Sequence, residues 1–165
     1  MKTLLLLRHA KSSWNDSSLA DRDRPLNTRG RHDAPRMGDV LRDESLVPDL
    51  IISSDAVRAR TTALAVAEAA GYLRDIDIDP RLYLAGPDDL LAVVRARSSA
   101  AARLVMVVAH NPGLEDLIAQ LTGQRHDLPT ATLVQLALPI DSWDALDSST
   151  RATLVNMWRP EDLSA

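Results

Sequence analysis

Short continuous apolar runs alternate along this chain with longer stretches in which apolar positions recur every three or four residues. The runs at 4–7, 50–52 and 104–109 have no polar interruption and read as parallel strands buried on both faces. The first strand is expected over 3–8 and the second over 49–53. Residues 12–24, rich in Asp and Ser, predict an exposed loop. Beyond it Ala34, Met37, Val40 and Leu41 share one face of a helix. Pro35 leaves the start of that helix open: either Asp33 caps it with Pro35 in the first turn, or an earlier helix is kinked there. An Ala-rich helix should follow the second strand to about residue 70, with Ser54 or Asp55 as its cap and Gly71 as its terminator. Strict alternation at 75–79 predicts a shorter strand near a sheet edge. Leu90, Leu91 and Val94 mark a helix over 87–97. After the run at 104–109 come His110, then Asn111 and Pro112 as N-cap and first-turn pair of a helix ending near Gly123. Two last strands, 133–138 and 153–158, flank a polar connection suited to a long hairpin. This order of elements predicts a single α/β domain over 1–165: a three-layer α/β/α sandwich whose central sheet is mostly parallel with an antiparallel edge.

Composition changes this picture mainly by exclusion. A net charge of −4 disfavours general binding to nucleic acid or anionic membranes. The absence of Cys removes thiol catalysis and thiolate metal sites. No apolar run approaches the ~20 residues of a membrane span, and the N-terminal run meets Arg8 and His9 too early for a signal peptide, so a cytoplasmic enzyme is the default expectation. Lys2 and Lys11 are the only lysines among 19 basic residues. Arg offers a planar fork suited to phosphate, although a GC-rich genome produces the same bias. Six dispersed glycines form neither a GxGxxG nor a phosphate loop, and no GxSxG or HExxH is present. His32 and His126 are expected to be ordinary exposed residues.

Candidate chemistry gathers where predicted strands end. Arg8-His9 closes the first strand, Ser53-Ser54-Asp55 leads from the second to Arg58, and His110 follows the fourth. Parallel strands place these ends on one edge of the sheet, so the three sites can converge in one cleft. Arg58 falls in the first turn of its helix, where the macrodipole favours an anion and a cation is mildly unfavourable. A bound phosphate would reverse that, accepting from the Arg58 fork and from the helix N-terminus. The plain alternative is that Asp55 neutralises both Arg58 and Arg60 on a solvated surface; for Arg60 that alternative is preferred.

Arg8-His9-Ala10, followed by Ser12 and Trp14-Asn15, resembles the RHG signature of the histidine phosphatase (phosphoglycerate mutase-like) superfamily, with Ala where Gly is usual. Ser53, Arg58-Ala59 and Thr62 resemble its S-x-x-x-x-R-A-x-x-T segment, and Ala109-His110-Asn111-Pro112-Gly113 the segment of its second histidine. The stretch from Asp23-Arg24-Pro25-Leu26-Asn27 to Gly30, with the short chain, is most similar to the SixA-type phosphohistidine phosphatases. The resemblance implies that His9 is the nucleophile and carries a phosphohistidine intermediate, without metal or other cofactor. It implies that Arg8, Arg58 and His110 surround the phosphoryl group, with Asn15 and Arg24 as further phosphate contacts. The relatives' general-acid Glu has no counterpart at Arg81-Leu82-Tyr83-Leu84-Ala85-Gly86. A phosphoramidate nitrogen leaves more readily than an alkoxide, so this departure favours phosphohistidine in a partner protein over a phosphate ester. Asp16, Asp21, Asp23 or Asp88 could still serve as an acid from a loop. A small-molecule phosphomonoesterase, or a catalytically silent phosphate-binding module, are the alternatives.

Overall fold

The computed structural model describes residues 1–163. Six strands form one sheet in the order β3-β2-β4-β1-β5-β6. They are β1 (Lys2–Arg8), β2 (Leu50–Ser53), β3 (Asp77–Ile78), β4 (Leu104–Ala109), β5 (Leu133–Leu138) and β6 (Thr153–Trp158). The four strands β3, β2, β4 and β1 run parallel, while β5 is antiparallel to both of its neighbours. This is the α/β architecture expected, a mostly parallel sheet with an antiparallel edge.

The uninterrupted apolar runs follow from burial on both faces. Side chains alternate along a strand. Leu4 and Leu6 therefore enter one core with Leu90, Val94, Leu114 and Leu117, and Leu5 and Leu7 enter the other with Met37, Leu41, Ala63 and Val66. The helices that supply these cores are α1 (Thr28–Asp43) and α2 (Val57–Ala70) on one side, and α3 (Pro87–Arg97) and α4 (Gly113–Thr122) on the other. Among the described residues no helix is long and apolar enough to cross a membrane.

Several boundaries differ from the sequence expectation, each for a local reason. Helix α1 starts at Thr28, because the Asn27 side chain accepts from the Gly30 N–H at 2.9 Å and so caps it. Pro35 then sits inside the helix, and the burial of Ala34, Met37 and Leu41 against the sheet outweighs the missing N–H. Helix α2 is capped at Ala56 rather than at Ser54 or Asp55; the Ser54 hydroxyl accepts from Ala56 N at 3.2 Å and turns the chain before the helix. Helix α4 is capped at Pro112, since the Asn111 side chain is engaged by the Leu128 carbonyl at 2.9 Å. The alternation at 75–79 yields only a two-residue strand, as Asp79 turns away to cap the following 3-10 turn. His126 is half-buried, not exposed, whereas His32 is exposed as expected.

Two glycines allow backbone to approach backbone near the strand ends. A Cβ at Gly30 would lie 2.1 Å from the Lys11 carbonyl oxygen, and one at Gly113 would lie 1.8 Å from that of Ala85. Gly113→Ala is therefore expected to lower stability by about 3 kcal/mol. Gly86→Ala, which meets nothing within 4 Å, should change it by only a few tenths of a kcal/mol. Urea denaturation of the two variants checks this; equal effects would show that the Ala85 contact yields easily.

Candidate active site

At the carboxyl edge of the parallel strands lies an open cleft of about 360 Å³. Strand register creates it: Arg8 at the end of β1 pairs with Ala109 of β4, and Ser53 of β2 with Val108. His9, His110 and Ser54, each one residue further on, thus stand side by side. Arg8, His9, Arg24, Arg58 and His110 all line the cleft, with Lys11, Asp21, Trp14 and Leu84 among its other walls. Asn15 does not join them; it is exposed on the loop, where its backbone N–H bonds the Ser13 hydroxyl at 3.1 Å.

His9 is fixed from both sides. Its Nδ1 lies 2.8 Å from the carbonyl oxygen of Ala10. A carbonyl only accepts, so Nδ1 carries the proton and the neutral ring leaves its lone pair on Nε2. Burial, reinforced by Arg58, Arg8 and Arg24 and opposed by the Ala10 hydrogen bond, pushes the His9 pKa down to about 4. The backbone after His9 is tied to α2: Ala10 N–H donates to Thr62 Oγ1 at 2.9 Å, and that hydroxyl donates to the Arg58 carbonyl at 2.7 Å. This bridge explains the spacing of Arg58 and Thr62, one helical turn apart. Ala10 is wholly buried in the apolar core beneath, so a methyl group is accommodated there in place of Gly.

His110 faces His9 with ring centroids 5.1 Å apart. Its Nε2 is 2.8 Å from Ser54 Oγ. That hydroxyl also accepts from Ala56 N–H at 3.2 Å. Burial, the His9 ring and Arg58 hold His110 down to about 3. His110 Nδ1, Arg8 Nε and Arg58 Nε are buried without a hydrogen-bond partner among the described residues. This end of the sheet therefore has donor capacity that the chain itself does not use.

The arginines are held by groups distant in sequence. Arg8 Nη1 donates to the Leu128 carbonyl at 2.8 Å, and Leu128 N–H is fixed by Glu115 at 2.9 Å. Arg58, almost fully buried, donates to the Asp21 carbonyl oxygen at 2.7 Å and to its carboxylate at 3.0 Å. The same carboxylate accepts from Arg24 Nε at 3.1 Å and from the Tyr83 hydroxyl. Arg58 is thus neutralised by Asp21, while Asp55 pairs with Arg22 at 3.3 Å and Arg60 bonds the Asp55 carbonyl. The Tyr83 hydrogen bond, then Arg58 and Arg24, bring the Asp21 pKa down to about 2 against a smaller opposing effect of burial. Asp21 is an ionised clamp at neutral pH. Asp16, Asp23 and Asp88 are exposed and do not line the cleft.

Sequence reasoning missed Tyr83, Ser54 as the partner of His110, and the clamping role of Asp21. Tyr83 lies in the 81–86 segment, and its contact with Asp21 joins residues 62 positions apart. The cleft has four cationic side chains against one carboxylate in a chain that is acidic overall, a local field suited to a small anion. No group of three or more His, Asp or Glu among the described residues is placed to hold a metal ion.

Both histidines titrate lower in the folded chain than in the unfolded one, so the unfolded state binds more protons as pH falls below about 6.5. Their contribution is fully present above that value and is lost progressively toward pH 4, by about 1.4 kcal/mol per pH unit for each ring. Denaturant titrations between pH 4 and 7 should show a shallower decline for His110→Asn than for the native chain. Parallel declines would show that the ring is not held neutral.

Comparison with known proteins gives, among others, four matches. The profile of the histidine phosphatase superfamily (branch 1) matches residues 4–83. An uncharacterised chloroplastic protein of Arabidopsis thaliana is 34% identical over 151 residues, covering 87% of this chain and 69% of its own. The crystal structure of the putative phosphohistidine phosphatase SixA from Agrobacterium tumefaciens superposes with a TM-score of 0.81 at 30% identity, over 96% of this chain and 98% of that one. The protein histidine phosphatase SixA complexed with tungstate superposes with a TM-score of 0.82 at 22% identity, over 98% of this chain and 99% of that one, a likeness of fold alone.

Proposed function

The chain belongs to the histidine phosphatase superfamily, branch 1, and from that premise we propose that it is a phosphatase acting through phospho-His9 on phosphohistidine borne by a partner protein. His9 Nε2 attacks phosphorus, the bond from phosphorus to the leaving nitrogen breaks, and the electron pair stays on the departing ring. Water then attacks phospho-His9 and releases inorganic phosphate. Arg8, Arg58 and His110, whose Nδ1 has no partner among the described residues, bind the phosphoryl oxygens, with Arg24 bracing the loop that carries Asp21. Phosphoryl transfer through a loose transition state asks mainly for this positioning and charge, and the proposal requires no metal ion. For Asn15, a phosphate contact would require the loop to move, because its present position is exposed.

The observation that carries the substrate assignment is the state of Asp21. It is the carboxylate that lines the cleft, and Tyr83, Arg58 and Arg24 keep it ionised, with a pKa of about 2. A carboxylate so held is a poor proton donor, which an alkoxide leaving group needs and a ring-protonated phosphohistidine does not. The likeness to the putative phosphohistidine phosphatase SixA of Agrobacterium tumefaciens supports the same reading. Steady-state turnover of phosphoramidate and free phosphohistidine against an alkyl phosphate tests it. The nitrogen-bound substrates should be favoured by about 100-fold or more in kcat/KM. Rapid ester hydrolysis that Asp21→Asn abolishes, with phosphoramidate turnover retained, would overturn it.

A further inference from the structure

Two large apolar side chains line a cleft whose other walls are mostly charged or polar. Trp14 is 74% exposed and Leu84 56% exposed. One face of the Trp14 ring rests on the Arg24 guanidinium at 3.5 Å. Arg24 is itself only 7% exposed and is tethered by Ser12 Oγ at 2.8 Å and by Asp21. The indole is therefore held in place by a fixed cation on one side and open to solvent on the other. Leu84 has a φ of 50°, in the left-handed region that a side chain with a Cβ rarely adopts. Exposure of one apolar residue is ordinary, but two in a charged cleft, one of them on strained backbone, point to a bound group.

We propose that Trp14 and Leu84 form a subsite for a flat ring attached to the phosphoryl group, so that the leaving group is recognised by stacking. This rests on the phosphatase reading above and specifies the side of the substrate that Arg8, His9, Arg58 and His110 do not contact. A phosphorylated imidazole leaves as a neutral ring when its far nitrogen is already protonated. The ring is then cationic while the bond from His9 Nε2 to phosphorus forms and the bond to the ring nitrogen breaks. An indole face attracts such a flat cation and Leu84 excludes water beside it. An aliphatic phosphate offers neither the face nor the charge.

Calorimetric binding of phenylphosphonate and methylphosphonate, neither of which can be hydrolysed, isolates the subsite. The native chain should bind the phenyl compound about tenfold more tightly, and Trp14→Ala should reduce the ratio of the two Kd values to near one. Taking the ratio cancels any disturbance of Arg24 that affects both ligands. Leu84→Gly, which suits the observed φ, should lower the ratio several-fold without loss of thermal stability. No preference in the native chain, or an equal ratio in the native chain and Trp14→Ala, would overturn the subsite. Loss of phosphoramidate turnover in the native chain with the ring preference intact would instead overturn the phosphatase reading alone.

Discussion

Replacing His9 by Ala should abolish the phosphoenzyme and lower kcat/KM by roughly 10⁴-fold or more. In a rapid-quench experiment with a radiolabelled phosphodonor, the native chain should retain label that is lost in acid and stable in base. His9→Ala should retain none. The size of the effect follows from the site: a neutral ring whose Nδ1 is committed to Ala10 presents its Nε2 lone pair to the cleft. His110→Ala should still take up label, about 10²- to 10³-fold more slowly, because it removes one proposed oxygen ligand and leaves the proposed nucleophile. Label on His9→Ala equal to that on the native chain would refute the assignment.

Arg58→Ala should lower kcat/KM by about 10²- to 10³-fold, most of it in kcat if Arg58 acts on charge that develops in transfer. Arg58→Lys separates charge from geometry. Lys keeps the cation but loses the fork that spans the Asp21 carbonyl and carboxylate, so it should recover only part of the activity. Asp21 retains Arg24 and Tyr83 in both variants, so the loop is not released and stability should fall only modestly. A drop confined to KM, with kcat unchanged, would make Arg58 a binding group that acts equally in ground and transition states.

The parts of this molecule that repeat along the chain are legible in the sequence. Leu4–Leu7 and residues 104–109 announce two-sided burial because nothing polar interrupts them, and that alone places them inside a parallel sheet. From strand ends it follows that Arg8, His9 and His110 share an edge, and the first turn of the helix after the second strand brings Arg58 near it. Capping is less legible. Ser54 has the chemistry of an N-cap, yet its hydroxyl is shared between Ala56 and His110, a choice settled by the neighbouring strand. Asn111 likewise turns to Leu128, 17 residues away.

The residues that control protonation in the cleft are beyond the reach of sequence patterns. Asp21 is one of four candidate acids, three of them on the same polar loop, and by residue type nothing separates it from Asp16 and Asp23. Only the folded chain puts it against Arg58, 37 positions on, and Tyr83, 62 positions on, and those contacts turn a possible acid into an anionic clamp. Local periodicity and strand ends therefore determined the fold and the candidate nucleophile, because burial and alternation are properties of neighbouring residues. The tertiary structure decided which charges meet, because a carboxylate's partners depend on where two loops come together, and no pattern along the chain encodes that distance.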